Sequence, residues 1–165
     1  MPCVVQVRGD ESTASERHQF AELARQWCQA TVPGLLPGHE VIETDNHVIF
    51  IGNHDPEGIL WLDWMVQHHR RLPLMVALQT LEQILQVVRD AHQQGVVHGE
   101  LRPECIVMVN GAPHLSRVPL GSGNAMPASS YRSPEQLCGA DISHDSDLFS
   151  IAAMWYEALV GVHPF

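Results

Sequence analysis

Lysine is missing altogether from the 165 residues: all nine basic residues are arginines, set against 19 aspartates and glutamates. A Schiff-base amine, or an ammonium that grips phosphate as a point charge, is therefore excluded, and any anion chemistry falls to guanidinium groups. Positive charge is scarce as well. With a formal net charge of -10 and a pI near 5.4, the chain lacks the concentrated basic surface that nucleic acid or an anionic membrane requires of a partner. Long apolar runs are absent too. No stretch reaches the roughly 18 residues of a membrane span, and the N-terminus has no apolar signal core, so a soluble cytoplasmic protein is expected. The four cysteines, Cys3, Cys28, Cys105 and Cys138, show no C-x-x-C spacing, which favours free thiols over a disulfide or zinc site.

What is present begins with 45% hydrophobic residues, enough for a real core in one domain or two small lobes. Residues 3 to 8 read as a strand. A helix is expected from about Ser15 to Ala30 with Phe20, Leu23, Ala24 and Trp27 on its apolar face. Two strands around His39 to Thr44 and His47 to Gly52 flank an Asp45-Asn46 turn. The polar, turn-rich stretch 53 to 58 marks a boundary, giving units at 1–53 and 54–165. Beyond it come a short helix to Gln67 and a long one, Leu74 to Gln93, whose Leu74, Leu78, Leu81, Leu85 and Val88 repeat at helical spacing. Short strands follow between Val96 and Leu120. A last helix from about Ser146 to Leu159 is apolar almost all round and must be buried on most sides.

The run from Ala91 to Val107, with His98-Gly-Glu-Leu-Arg-Pro-Glu-Cys105 at its centre, resembles the catalytic loop of eukaryotic-like protein kinases of bacterial type, whose pattern is H-R-D-L-K-P-E-N. Tyr131-Arg-Ser-Pro-Glu-Gln-Leu resembles the A-P-E segment. Ser146-Asp-Leu-Phe-Ser-Ile and Tyr156 to Phe165 resemble the central buried helix of the large lobe. The resemblance implies an α+β, two-lobe kinase-like fold with a minimal small lobe and a truncated, mainly helical large lobe ending after that helix.

It also implies a division among residues. Those that hold the fold are present: His98 packs under the loop, Asp147 ties the loop backbone to the buried helix, Pro103 shapes the loop, and Glu135 closes the activation segment. Those that carry the chemistry are replaced. Arg8 stands for the phosphate-gripping lysine, with Glu22 near its glutamate partner; Gly99 stands for the loop arginine and Glu100 for the catalytic aspartate. Arg102 replaces the loop lysine, Cys105 the metal-binding asparagine, and Arg117-Val118-Pro119 the D-F-G triplet. Soft sulfur at Cys105 and a permanent cation at Arg117 do not suit magnesium, so neither magnesium nor another cofactor is expected, and ATP is not either. Arg102 and Arg117 are the weak candidates for neutralising a nucleotide's phosphates. Glu100 reads as a solvent-facing acid without a task, Arg117 as a surface arginine or a partner of Glu104. His68, His69 and His92 read as solvated helix histidines, and Ser122, Ser129 and Ser130 as phosphorylatable.

The expected function is that of an inactive kinase-like domain, a pseudokinase, serving as a protein-binding scaffold or regulator. The alternative is a divergent nucleotide-binding protein or phosphotransferase using Glu100 and the arginines. Because the family continues with further helices and this sequence stops at Phe165, Phe149, Met154, Trp155 and Leu159 are expected to form an uncovered face. That face would be met by another protein, a second copy, or the rest of a longer product.

Overall fold

The computed structural model describes residues 3–9, 12–67, 71–117 and 128–165. Strand β1 (Cys3–Arg8) is followed by helix α1 (Ala14–Gln29), which opens on a capping box in which Thr13 and Glu16 satisfy each other's backbone amides. Strands β2 (Gly38–Glu43) and β3 (Val48–Asn53) complete an antiparallel sheet in the order β1-β3-β2. Alternation along β3 turns Val48 and Phe50 into the core, where Phe20, Ala21, Ala24 and Trp27 of α1 meet them.

A second sheet, order β4-β5-β6, is built from Ile59–Leu60, Ile106–Val109 and Ala112–Leu115. Asn110 and Gly111 join the last two with φ of 51° and 81°, the paired positive angles that a two-residue hairpin turn demands. Around this sheet lie α2 (Trp61–Gln67), α3 (Leu74–Gln93), α4 (Pro134–Leu137) and α5 (His144–Val160). Helix α5 starts two residues earlier than its apolar pattern suggests, because Ser143 caps it through Ser146. Its side chains are buried as the pattern requires: Ile151, Ala153, Met154, Trp155 and Ala158 are all in the core.

The two sheets are joined across the molecule by a parallel bridge between Leu35 and Leu115. Leu36 N donates to Leu115 O at 2.8 Å, and Leu115 N donates to Gly34 O at 2.7 Å. Gly34 sits at φ +91° with no room for a Cβ, which would lie 2.5 Å from Val87 Cγ2.

Two expectations change here. The apolar repeat of α3 is only partly its buried face: Leu74 and Leu78 are 60% and 44% exposed, whereas Val88 of the same repeat is buried with Ala77, Thr80, Ile84, Val87 and Ala91, and Leu81 packs part-buried against the core. Small residues at 77 and 91 let α3 approach its neighbours closely; Leu74, Leu78 and Leu85 are turned outward. Nor are Met154 and Trp155 an uncovered face. Met154 is 1% exposed, and Trp155 lies tilted against Trp61 and donates Nε1–H to Ala77 O at 2.8 Å. Phe149 and Leu159 are partly buried, Phe149 stacking on Phe165. The exposed large apolar residues of α5 are Leu148, Tyr156 and Val160 instead.

Candidate functional site

The centre of the molecule is the loop from Val96 to Cys105, hung from a single carboxylate. Asp147, 1% exposed on α5, accepts the His98 amide at 2.9 Å, the Gly99 amide at 2.8 Å and His92 Nε2–H at 2.9 Å. Burial alone would raise its carboxyl; the His92 hydrogen bond, the His98 ring and the two amides outweigh it and hold the group below its ordinary value. His98 is buried with Nε2–H donating to Ser116 O at 3.0 Å, Nδ1 accepting the Glu100 amide at 3.3 Å, and the Trp27 ring edge-on at 5.3 Å. Those partners describe a neutral imidazole. Burial and the neighbouring Arg117 charge lower its pKa from 6.5 to about 4.

Pro103 opens the 3-10 turn Pro103–Cys105 that leads into β5. Cys105 is fully buried, its Sγ–H pointing at Glu100 O 3.6 Å away, and burial pushes the thiol up to about 12. Arg102 lies 3.8 Å from the buried Glu104. Glu135 accepts Ser146 Oγ–H at 2.7 Å, and that bond together with Ser133 lowers its carboxyl. Gln136 Nε2 donates to Gly99 O at 2.6 Å, which fastens the segment beside Tyr131 to the loop.

Charge converges in front of this loop. Glu100 is not solvent-facing: its side chain is only 21% exposed, ion-paired with Arg8 and 3.6 Å from Arg132 Nη2. Desolvation opposes its ionisation, but the charges of Arg117, Arg8 and Arg132 win and lower its pKa. Glu22 does not reach Arg8; it pairs with Arg25 one turn along the exposed side of α1. Arg117 is not on the surface and does not pair with Glu104: it is 2% exposed, with its guanidinium 5.0 Å over the Phe20 ring. The Arg8 guanidinium lies 5.5 Å over the same ring. Sequence reasoning singled out neither Phe20 as this shared platform nor Arg132 as a contributor. Phe20 was legible only as part of the apolar face of α1, and Arg132 only as a member of the A-P-E-like segment.

Among the described residues no three His, Cys, Asp or Glu side chains are grouped to hold a metal ion, and no helix is long and apolar enough to cross a membrane. His92 is tied to Asp147 and stacks on His144 rather than standing in solvent. His68, His69, Val118, Pro119, Ser122 and the Ser129 side chain lie outside the described residues.

A two-part arrangement of a small antiparallel sheet with one helix over a helical body, with a histidine loop pinned by a buried aspartate between them, is the protein kinase fold. The kinase domain of PknI from Mycobacterium tuberculosis superposes with a TM-score of 0.78 at 21% identity, over 99% of this chain and 65% of that one. In sequence the chain is similar to bacterial serine/threonine protein kinases. It is 28% identical to serine/threonine-protein kinase PknA of Mycobacterium tuberculosis over 89% of this chain and 37% of that protein. To serine/threonine-protein kinase pkn3 of Myxococcus xanthus it is 25% identical, over 70% of this chain and 24% of that protein. The chain thus spans well under half the length of these curated relatives. No family model matches it.

Proposed function

We propose that this kinase-like chain does not transfer phosphoryl groups and works as a protein-binding regulator or scaffold. The observation that carries the reading is Arg117, a fully buried guanidinium standing where the resemblance puts a metal-binding aspartate. A divalent ion beside a fixed guanidinium would meet repulsion on the order of 5 kcal/mol at an effective dielectric of about 20. Cys105 supports the same reading, since a buried thiol that titrates at about 12 offers magnesium neither hardness nor negative charge. Glu100 supports it as well: a carboxylate held by Arg8 and Arg132, with its pKa lowered, is a poor acceptor for a substrate's proton. The intact pinning of the loop by Asp147, by contrast, keeps the scaffold rigid without the chemistry. An exposed apolar stripe on α3, including Met75 at 65% exposure, is the kind of surface that protein partners cover.

The test is incubation with γ-labelled ATP and magnesium or manganese, alone and with a generic basic protein substrate. No transfer above heat-inactivated protein is expected; metal-dependent labelling would overturn the reading. A melting scan separates out the nucleotide-binding alternative. Ligand at a hundred times its Kd adds about 2.7 kcal/mol, so a rise in Tm that needs both ATP and metal would count against the proposal.

A further inference from the structure

Val76, Thr80 and Gln83 fall at i, i+4 and i+7 on α3 and so share a face away from the exposed leucines. Between that face and the second sheet lies a groove of about 660 Å³, walled by Trp64 of α2 and closed at one end by the Asn110-Gly111 turn. Its apolar floor is only partly withdrawn from water. Ile59 is 46% exposed, because β4 has two residues and pairs on one side alone, with β5. Trp64 and Val76 are half-buried. The rim is preset. Asp55 accepts the Glu57 amide at 3.0 Å through Oδ1 and the Gly58 amide at 3.3 Å through its carbonyl. A Cβ at Gly58 would lie 2.2 Å from Val107 Cγ1, so the turn that carries Glu57 is pressed against β5 and has one course. Both charged residues lining the groove are acidic, Glu57 and Glu82, and both are exposed. Among the described residues neither carboxylate is in an ion pair.

We infer that this groove docks an extended segment of a partner protein in which aliphatic side chains alternate with arginine or lysine. The aliphatic groups complete the cover of Ile59, Trp64 and Val76, while the cations meet Glu57 and Glu82 at the rim. The volume falls within the range of about 300–1,000 Å³ that receives a compact ligand, and a preset rim keeps the ordering cost of binding low. A second copy is a poor occupant, since at a net charge of -10 it brings repulsion to an acidic rim. The groove gives the regulatory reading its partner surface and rests on that reading. The two fail separately: phosphotransfer would sink the reading and leave peptide binding untouched, whereas loss of peptide binding leaves the absence of transfer standing.

The full chain is titrated, by fluorescence anisotropy, with a labelled octapeptide alternating leucine and arginine, and with analogues in which serine replaces leucine or glutamate replaces arginine. Saturable binding of the first is expected, at least about tenfold tighter than either analogue. Glu82→Gln, Glu57→Gln and Ile59→Ser, all at exposed positions, are each expected to weaken it about fivefold or more with the Tm near that of the parent. Glu40→Gln removes the same charge from an exposed position on β2 and is expected to leave the affinity unchanged. Backbone amide shifts on binding are expected at residues 57–60, 76–83 and 108–111. No saturable binding, equal affinity for the serine analogue, an equal loss in Glu40→Gln, or amide shifts confined to other segments overturns the site.

Discussion

At the scale of single residues, two buried groups set the response to acid. His98 is neutral in the folded protein, with a pKa near 4, while the unfolded chain binds its proton at the ordinary value near 6.5. As pH falls from 6.5 the unfolded state is the first to gain a proton, so stability is full above about 6.5 and declines toward pH 4. The total loss is about 3 kcal/mol. Asp147 adds to this further down, because its depressed carboxyl gives stability that disappears only below its ordinary value of 3.8. Urea titrations at pH 7.0, 5.5 and 4.5 are expected to show the decline, and His98→Gln to flatten it. Asp147→Ala strips three donors of their acceptor and is expected to cost about 3–5 kcal/mol, or to prevent folding. The histidine and the aspartate were legible because both sit in motifs. Arg117 was legible only as a replacement: no sequence pattern says that an arginine in that place turns inward onto a phenylalanine twenty residues from the N-terminus, since the ring and the guanidinium meet only in three dimensions.

Among the elements, α3 shows why periodicity is half an answer. Spacing fixes which side chains share a face, but packing chooses the face, and here the close approach of α3 to α5 selected alanines and threonine over leucines. Leu78→Gln is therefore expected to change stability by less than about 0.5 kcal/mol, whereas Ile84→Ala, at 0% exposure, is expected to cost about 2–5 kcal/mol. Chemical denaturation of the two variants side by side distinguishes the faces. Equal losses would return the leucines to the core. Helix α5 was the easier case, because an element apolar on all sides has no face to choose. Its Trp155 nevertheless hides a polar link: Trp155→Phe is expected to lose about 1 kcal/mol with the Nε1–H bond to Ala77 O.

For the molecule as a whole, ten excess negative charges repel copies of the chain, while Leu74, Met75, Leu78, Val162 and Phe165 offer them apolar contact. Light scattering after gel filtration is expected to show association that grows as pH drops from 7.5 toward 5.4, where the repulsion vanishes. A monomer at both ends of that range would remove this face as a self-association surface. The two-lobe plan was readable from three motifs in order, yet how the lobes are fastened was only partly so, because the links at Leu36 and Leu115 are backbone to backbone and leave no residue-type signature. The backbone bonds around Leu35, Leu36 and Leu115 are one such link, and the Arg8–Glu100 ion pair is another. Separation of the lobes therefore has a gauge built into it. Deuterium uptake at the Leu36 and Leu115 amides measures the free energy of breaking that link, free of any ligand or label.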